Sequence, residues 1–177
     1  MKHKKALLAV LGCVAALAVP AAVMAADDDA IVIGNTSVID TVDPVHNGSN
    51  AWSLTADGVS ETIFMQDKEG NLVSRIVDSI EQKDELTWEM KLKEGVKFSD
   101  GSDVDAQALC DSMNTIMENN EMASTSAGVI TFTPVDDMTV ELKSERETTV
   151  MPSVLCEYSM VVLKDTGDSN YVRSEER

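Results

Sequence analysis

The most regular pattern in the chain is a strict alternation of apolar and polar side chains over residues 86–93. Its apolar members are Leu86, Trp88, Met90 and Leu92, and each is followed by a threonine, a glutamate or a lysine. A period of two with one apolar face predicts a half-buried β-strand. A similar alternation over residues 138–143 follows the apolar residues Ile130 and Phe132. The Asp136 and Asp137 pair between them predicts a hairpin.

The period changes between these strands. Apolar residues recur there at spacings of three and four, and they are Ala106, Leu109, Cys110, Met113, Ile116 and Met117. This spacing predicts an amphipathic helix with one buried face. Ser102, Asp103 and Asp105 are available to cap its start, and Asn119 and Asn120 are predicted to end it.

Other parts of the chain carry weaker patterns. Residues 42–50 contain Pro44 and are rich in loop-forming residues, so a loop is predicted there. The apolar spacing over residues 52–65 predicts a helix despite Gly58. A short helix is predicted at 151–154, and buried strands are predicted at 31–33 and 160–163.

The first 25 residues are predicted to be a signal peptide. Lys2, Lys4 and Lys5 form a positive start, and an uncharged run follows over residues 6–19. Short side chains before Ala26 suit a signal peptidase, so cleavage is expected after Ala25 or Ala26. A mature domain of residues 26–177 would then be exported to the periplasm. The two alternatives are a transmembrane anchor over residues 6–26 and an extracellular lipid anchor on Cys13.

Charge and composition narrow the class of protein. The 177 residues include 31 acids against 14 Lys and Arg, for a net charge of −17, and 44% are hydrophobic. The hydrophobic content suffices for a core in one domain. The negative charge argues against nucleic acid or anionic lipid as a partner, because phosphate binding needs a basic surface. Aromatic residues make up only 4%, so no platform for stacking bases is evident.

The chain offers little for catalysis. After the signal peptide its one histidine is His46, and no nucleophile motif, glycine-rich phosphate loop or metal-ligand cluster accompanies it. The carboxylates fall mostly on polar strand faces and in turns. We therefore expect no catalytic residue, no metal, no cofactor and no enzymatic activity.

Two cysteines follow the signal peptide, Cys110 and Cys156. An oxidising compartment permits a disulfide between them. The alternative is that Cys110 is a small buried hydrophobe on its helix. Both interpretations stand at this point.

Residues 84–101 (DELTWEMKLKEGVKFSDG) resemble the signature of the extracellular solute-binding proteins of family 5, which serve ABC importers. The resemblance extends to Asp43 and Pro44, to the 61–73 stretch and to the 135–142 hairpin. It implies an α/β, type II periplasmic-binding-protein fold. Family members are more than twice as long, so the resemblance places residues 26–177 as only the leading part of the first lobe.

The function that the resemblance implies is capture of a small solute, with a di- or oligopeptide as the first candidate, by a monomer that delivers it to an ABC permease. Nickel or another small solute is the alternative within the family. An alternative from another class is a free-standing secreted domain that binds proteins, in a form that a Cys110–Cys156 disulfide would lock.

The family's ligand-contacting loop corresponds by position to Asn47, Gly48, Ser49, Asn50, Ala51 and Trp52. The alternative is an ordinary surface loop with Trp52 buried in the core. Nickel carriers have an arginine and a tryptophan where this chain has Met122 and Thr125. That mode of nickel capture is therefore not expected here.

Overall fold

A four-stranded antiparallel sheet with a helix packed on one face organises the fold. The structure is a computed structural model that describes residues 43–46, 48–165 and 171–175, with backbone alone for 48–50 and 171–175. The helices are α1 (Gly48–Ala56), α2 (Ala106–Asn119), α3 (Glu121–Ala127) and α4 (Met151–Val154). The strands are β1 (Met65–Gln66), β2 (Leu72–Val73), β3 (Val77–Gln82), β4 (Thr87–Leu92), β5 (Lys97–Phe98), β6 (Ile130–Asp136), β7 (Thr139–Ser144), β8 (Leu163–Asp165) and β9 (Tyr171–Glu175).

The central sheet has the order β3-β4-β7-β6, and every strand pair described in the structure is antiparallel. The alternating strand predicted at 86–93 is β4, and the predicted hairpin is β6–β7. Both predictions are confirmed. Two smaller sheets, β1-β2 and β5-β9-β8, complete the described strands.

The core lies between the sheet and α2. Trp88, Met90 and Leu92 of β4 are buried, as are the inward residues of β6 and β7, while the intervening side chains remain more open. Leu109 and Met113 of α2 are fully buried and complete this core. Removing each such large apolar side chain from water contributes about 1.5–3 kcal/mol before the entropy cost of ordering it.

The predicted helix at 106–117 is confirmed as α2. Asp105 caps it by accepting a hydrogen bond from the Ala108 amide at 2.8 Å. The Ala106 amide donates to the Asp137 carbonyl at 2.9 Å, which ties the start of the helix to the β6–β7 turn. The short helix predicted at 151–154 is also confirmed, as α4.

Four aspartates hold the tight turns. Asp67, Asp84, Asp100 and Asp136 each accept at least one main-chain N–H from residues that follow them. Hydrogen bonds lower the pKa of all four carboxyls below the ordinary value. At Asp100 the largest contribution is the bond from Lys164. Folding therefore favours the ionised form of each of these carboxyls.

Two predicted boundaries are wrong. The helix expected over 52–65 is α1, which begins earlier, at Gly48, and ends at Ala56. It ends early because the chain turns at Gly58, whose φ of +71° lies in the left-handed region that favours glycine. Residues 48–50, which the sequence predicts to be part of a loop, instead form the first turn of α1. The strand expected at 160–163 is buried throughout, but β8 begins only at Leu163. Residues 1–25, Cys13 and the 31–33 strand lie outside the described residues.

The structure holds Cys110 and Cys156 as free thiols. Cys110 is buried on the core face of α2, and burial raises the pKa of its thiol to about 12. Cys156 follows α4 and is partly open, in a surface hollow with residues of β1 and α3. The two thiols thus occupy different surroundings, and Cys110 behaves as the small buried hydrophobe of the second interpretation.

Candidate functional site

A depression of about 520 Å³ opens between the turn at His46 and the junction of α2 with α3. Polar side chains make up most of its lining, which consists of His46, Asn119, Asn120, Glu121, Met122, Thr125 and Ser126. No lysine or arginine is among these residues. The depression therefore presents hydrogen-bonding groups, among them one carboxylate and one imidazole, beside a similar extent of apolar surface.

Asp43 shapes the turn that carries the imidazole. One carboxylate oxygen, Oδ1, accepts the amide hydrogens of Val45 at 2.9 Å and His46 at 3.1 Å. The other oxygen, Oδ2, lies 2.8 Å from Nδ1 of His46. Partial burial raises the pKa of Asp43, but the hydrogen bonds from His46 and Val45 outweigh it and lower the pKa overall. An ionised Asp43 thus fixes both the turn and the ring.

Asn120 joins the turn to the helices. Its side-chain nitrogen donates to the Pro44 carbonyl at 2.9 Å, and its side-chain oxygen accepts the amides of Met122 and Ala123 at 3.0 and 3.1 Å. The side chain is almost fully buried. One residue therefore caps α3 and binds a segment 76 positions earlier in the chain. The sequence predicts a helix end at Asn120, but it gives no sign of this contact or of α3.

Met122 forms the opposite wall and is itself held in place. The hydroxyl of Tyr158 donates to its sulfur at 2.9 Å. Thr125 and Ser126 continue along α3 on the exposed side. Met122 and Thr125, which the resemblance matches by position to an arginine and a tryptophan of nickel carriers, both line the depression.

The segment predicted to bind ligand lies close by but does not line the depression with its described side chains. Gly48, Ser49 and Asn50 form the first turn of α1, which contacts α3. Ala51 is fully buried, whereas Trp52 is 55% exposed and lies outside the core. Exposure of Trp52 removes the alternative in which this side chain is part of the core. Asn47 lies outside the described residues.

A second cavity, of about 410 Å³, lies on the other side of the His46 turn, and Val45 is part of its wall. Its other walls come from α2 and from the residues around Phe98 and Lys164. Lys164 donates to Asp100 at 2.8 Å and to Ser102 at 2.9 Å. The 43–46 turn therefore separates two hollows, with Val45 towards one and His46 towards the other.

Comparison with known proteins identifies the family. The sequence model of the bacterial extracellular solute-binding proteins, family 5 (middle portion), matches residues 71–175, more than half of the chain. The chain belongs to this family. Because family 5 consists of solute-binding proteins, the match confirms the suspected resemblance and the prediction that the chain is not an enzyme.

Two curated glutathione-binding proteins are identical to this chain at about a third of the aligned positions. The chain is 33% identical over 108 residues to the glutathione-binding protein GsiB of Shigella dysenteriae, and 32% identical to GsiB of Escherichia coli K12. Each match covers 60% of this chain and 20% of the relative. The chain thus spans about a fifth of the length of these relatives.

Solved structures of the family show the same fold. A nickel ABC transporter protein from Bacillus halodurans aligns with a TM-score of 0.67 and 19% identity, covering 75% of this chain and 28% of that one. OppA of Burkholderia pseudomallei aligns with a TM-score of 0.61 and 19% identity, covering 75% and 32%. The likeness confirms the mixed helix and strand, type II periplasmic-binding fold, present here in part.

The described residues hold no group of three or more His, Cys, Asp or Glu side chains placed to bind a metal ion. Within those residues no helix has the length and apolar character to cross a membrane.

Proposed function

We propose that this protein is the solute-capturing component of an ABC importer and that its solute is a di- or oligopeptide. Membership of family 5 supports the general role. The observation that carries the choice of solute is the depression at the α2–α3 junction, which has six polar side chains among its seven lining residues. The helix that carries the exposed Trp52, α1, contacts α3. A peptide offers many hydrogen-bonding groups along its backbone, which such a lining can match.

In this proposal the protein works outside the inner membrane, after removal of residues 1–25, and as a monomer that meets an ABC permease. Residues 26–177 supply part of one lobe. Binding changes the balance between open and closed arrangements of the lobes, and no bond in the solute is made or broken.

Asn47, Gly48, Ser49, Asn50, Ala51 and Trp52 are proposed as a second contact surface for the solute. The first turn of α1 provides main-chain groups, and Trp52 provides an exposed apolar wall. Replacing Trp52 with alanine is expected to weaken peptide binding about tenfold, through loss of aromatic contact area. Val150→Ala removes a side chain of equal exposure away from the depression and should leave affinity unchanged.

Nickel is the second candidate solute. His46 is the one imidazole in the lining, and Met122 adds a sulfur, so two groups that nickel accepts face the same depression. The absence of arginine from this lining favours peptide, since it removes the pattern expected of nickel carriers.

The test uses the intact protein as its source organism exports it, captured with an antibody against residues 84–101. Its mass is measured first, and calorimetric titration with di- and tripeptides and with Ni²⁺ follows. We expect a mass several times that of residues 26–177 and saturable peptide binding. Binding of Ni²⁺ alone would replace the peptide proposal. A mass equal to residues 26–177 with no solute bound would instead support the interaction-domain alternative.

A further inference from the structure

We propose that the outer edge of strand β6 is a latent pairing surface for a second copy of this chain, and that Asn114 of α2 keeps it closed. β6 is the last strand in the order β3-β4-β7-β6, so β7 is its one partner among the described strands of this sheet. The other edge of such a strand offers main-chain N–H and C=O groups to any extended chain that approaches. The proposal is independent of solute capture and concerns self-association.

The main-chain bonds to β7 show which residues of β6 face outward. In an antiparallel pair, successive residues alternate between bonding to the partner strand and pointing away from it. The Glu145 amide donates to the Val129 carbonyl at 3.1 Å, so the main chain of Val129 faces the β7 side. By this alternation, the main-chain groups of Ile130, Phe132 and Pro134 point away from β7, towards the edge.

Asn114 occupies the middle of this edge. Its side-chain nitrogen donates to the Phe132 carbonyl at 2.9 Å, and its side-chain oxygen accepts the Phe132 amide hydrogen at 3.0 Å. A carboxamide has the same donor and acceptor groups as a peptide unit, so this side chain takes the place of a residue on a neighbouring strand. Pro134, further along the edge, has no N–H to offer. One side chain and one proline thus end the ladder at β6.

The sequence of the segment suits pairing with an identical segment. Residues 129–135 (VITFTPV) contain no charged side chain, and all but Pro134 are β-branched or aromatic. Val129 and Val135, at the two ends, are 42% and 58% exposed. Uncharged segments with this β-propensity are prone to add to one another across molecules. Two copies related by a twofold axis would place β6 antiparallel to its counterpart and join the two sheets.

The opposite edge of the sheet is protected by other means. Strand β3 has the exposed carboxylates Asp78 and Glu81, and its register shifts near its start. Charge and irregular register both disfavour addition of a strand. Strand β6 has neither feature before Pro134. Closure of its edge therefore depends on Asn114.

The experiment compares the self-association of the intact exported protein with that of two variants. Asn114→Leu removes both bonds to Phe132 and keeps a similar volume. Asn114→Asp keeps the shape of the side chain, but an ionised carboxylate cannot donate to the Phe132 carbonyl. Sedimentation velocity over a range of concentrations should give one mass for the wild type, and a mass that doubles as concentration rises for both variants. Asn119→Leu loses only a bond within α2 and should behave as the wild type.

A further pair of substitutions tests whether the dimer uses β6. Val129→Lys with Val135→Lys adds like charges to both ends of the segment, at exposed positions that the fold should tolerate. Combined with either Asn114 variant, this pair should abolish the dimer. A dimer that survives the pair would mean that the copies associate through another surface, and the proposal would be overturned.

Hydrogen exchange at the Phe132 amide reports on the edge directly. The bond to Asn114 should protect this amide in the wild-type protein, and exchange should be at least about tenfold faster in dilute Asn114→Asp. Protection should return at concentrations where the variant is a dimer. If Asn114→Leu does not fold, Asn114→Asp decides the outcome. An Asn114→Asp protein that stays monomeric at every concentration, or a wild-type Phe132 amide without protection, would contradict the proposal.

Discussion

The core between the sheet and α2 and the region around the depression at His46 are stabilised by different kinds of interaction. The core is stabilised by many apolar contacts, and fully buried residues such as Met90, Leu109 and Leu142 belong to one apolar cluster. Around the depression, two polar side chains, Asp43 and Asn120, make most of the defining bonds. Bulk packing therefore sets the stability of this domain, whereas a few specific hydrogen bonds set the shape of the site.

The largest effect is expected from a cavity in the core. Leu142→Ala removes a fully buried side chain of β7 and should lower the free energy of unfolding by about 2–5 kcal/mol. Urea denaturation followed by circular dichroism measures the change. Val135→Ala, at a site that is 58% exposed, should alter it by less than about 0.5 kcal/mol. Equal effects at the two sites would mean that the sheet does not bury the face described.

A smaller loss of stability, with a larger effect on the site, is expected at Asn120. Asn120→Ala removes the cap of α3 and the bond to Pro44, at a cost of about 1–3 kcal/mol. Solute affinity should fall as well, because the His46 turn loses its tether to the helices. Denaturation and calorimetry measure the two effects.

The neighbouring residue provides the control for Asn120. The Asn119 side chain is exposed and bonds only within its own helix, to the Thr115 carbonyl. Asn119→Ala should change stability by less than about 0.5 kcal/mol. If both variants behaved alike, the long-range bond from Asn120 would have no energetic role.

The cap of α2 tests whether an exposed polar bond beside the core contributes as much to stability as the bonds of Asn120. Asp105→Ala should reduce the free energy of unfolding by about 1 kcal/mol and leave solute binding unchanged, because α2 stays packed on the sheet. Glu118→Ala, on the exposed face of the same helix, serves as the reference. A loss of binding in Asp105→Ala would show that the two regions are coupled.

The turn aspartates predict the response to acid. Each carboxyl has a pKa lowered by folding, so its contribution is complete above the unfolded pKa of about 4 and is lost as the pH falls through the lower folded value. Urea midpoints should be level from about pH 7 to pH 5 and then decline. Asp84→Asn should make the decline shallower, and an unchanged curve in that variant would show that Asp84 does not contribute to it.

Periodic parts of the fold could be predicted from sequence, and the site could not. Strand β4, the β6–β7 hairpin and α2 each repeat an apolar position at a fixed spacing, so local sequence contains the signal. His46 and Met122 line the same depression, and Asn120 bonds to Pro44, although these residues lie far apart in the sequence. No periodic pattern of apolar residues indicates either arrangement. The early end of α1 depends on Gly58. Sequence alone does not reveal this end, because an isolated glycine also occurs inside helices.

Within its seven residues, helix α3 has one side that attaches it to the core and another that lines the depression proposed to bind solute. Ala123 and the Asn120 cap attach it to the core, while Glu121, Thr125 and Ser126 point to the solvent side of the depression. Replacing these outer residues costs little folding energy, since surface positions tolerate most substitutions. Under the proposed function, point mutations on this helix edge after a gene duplication would change which solute binds while the scaffold remains stable.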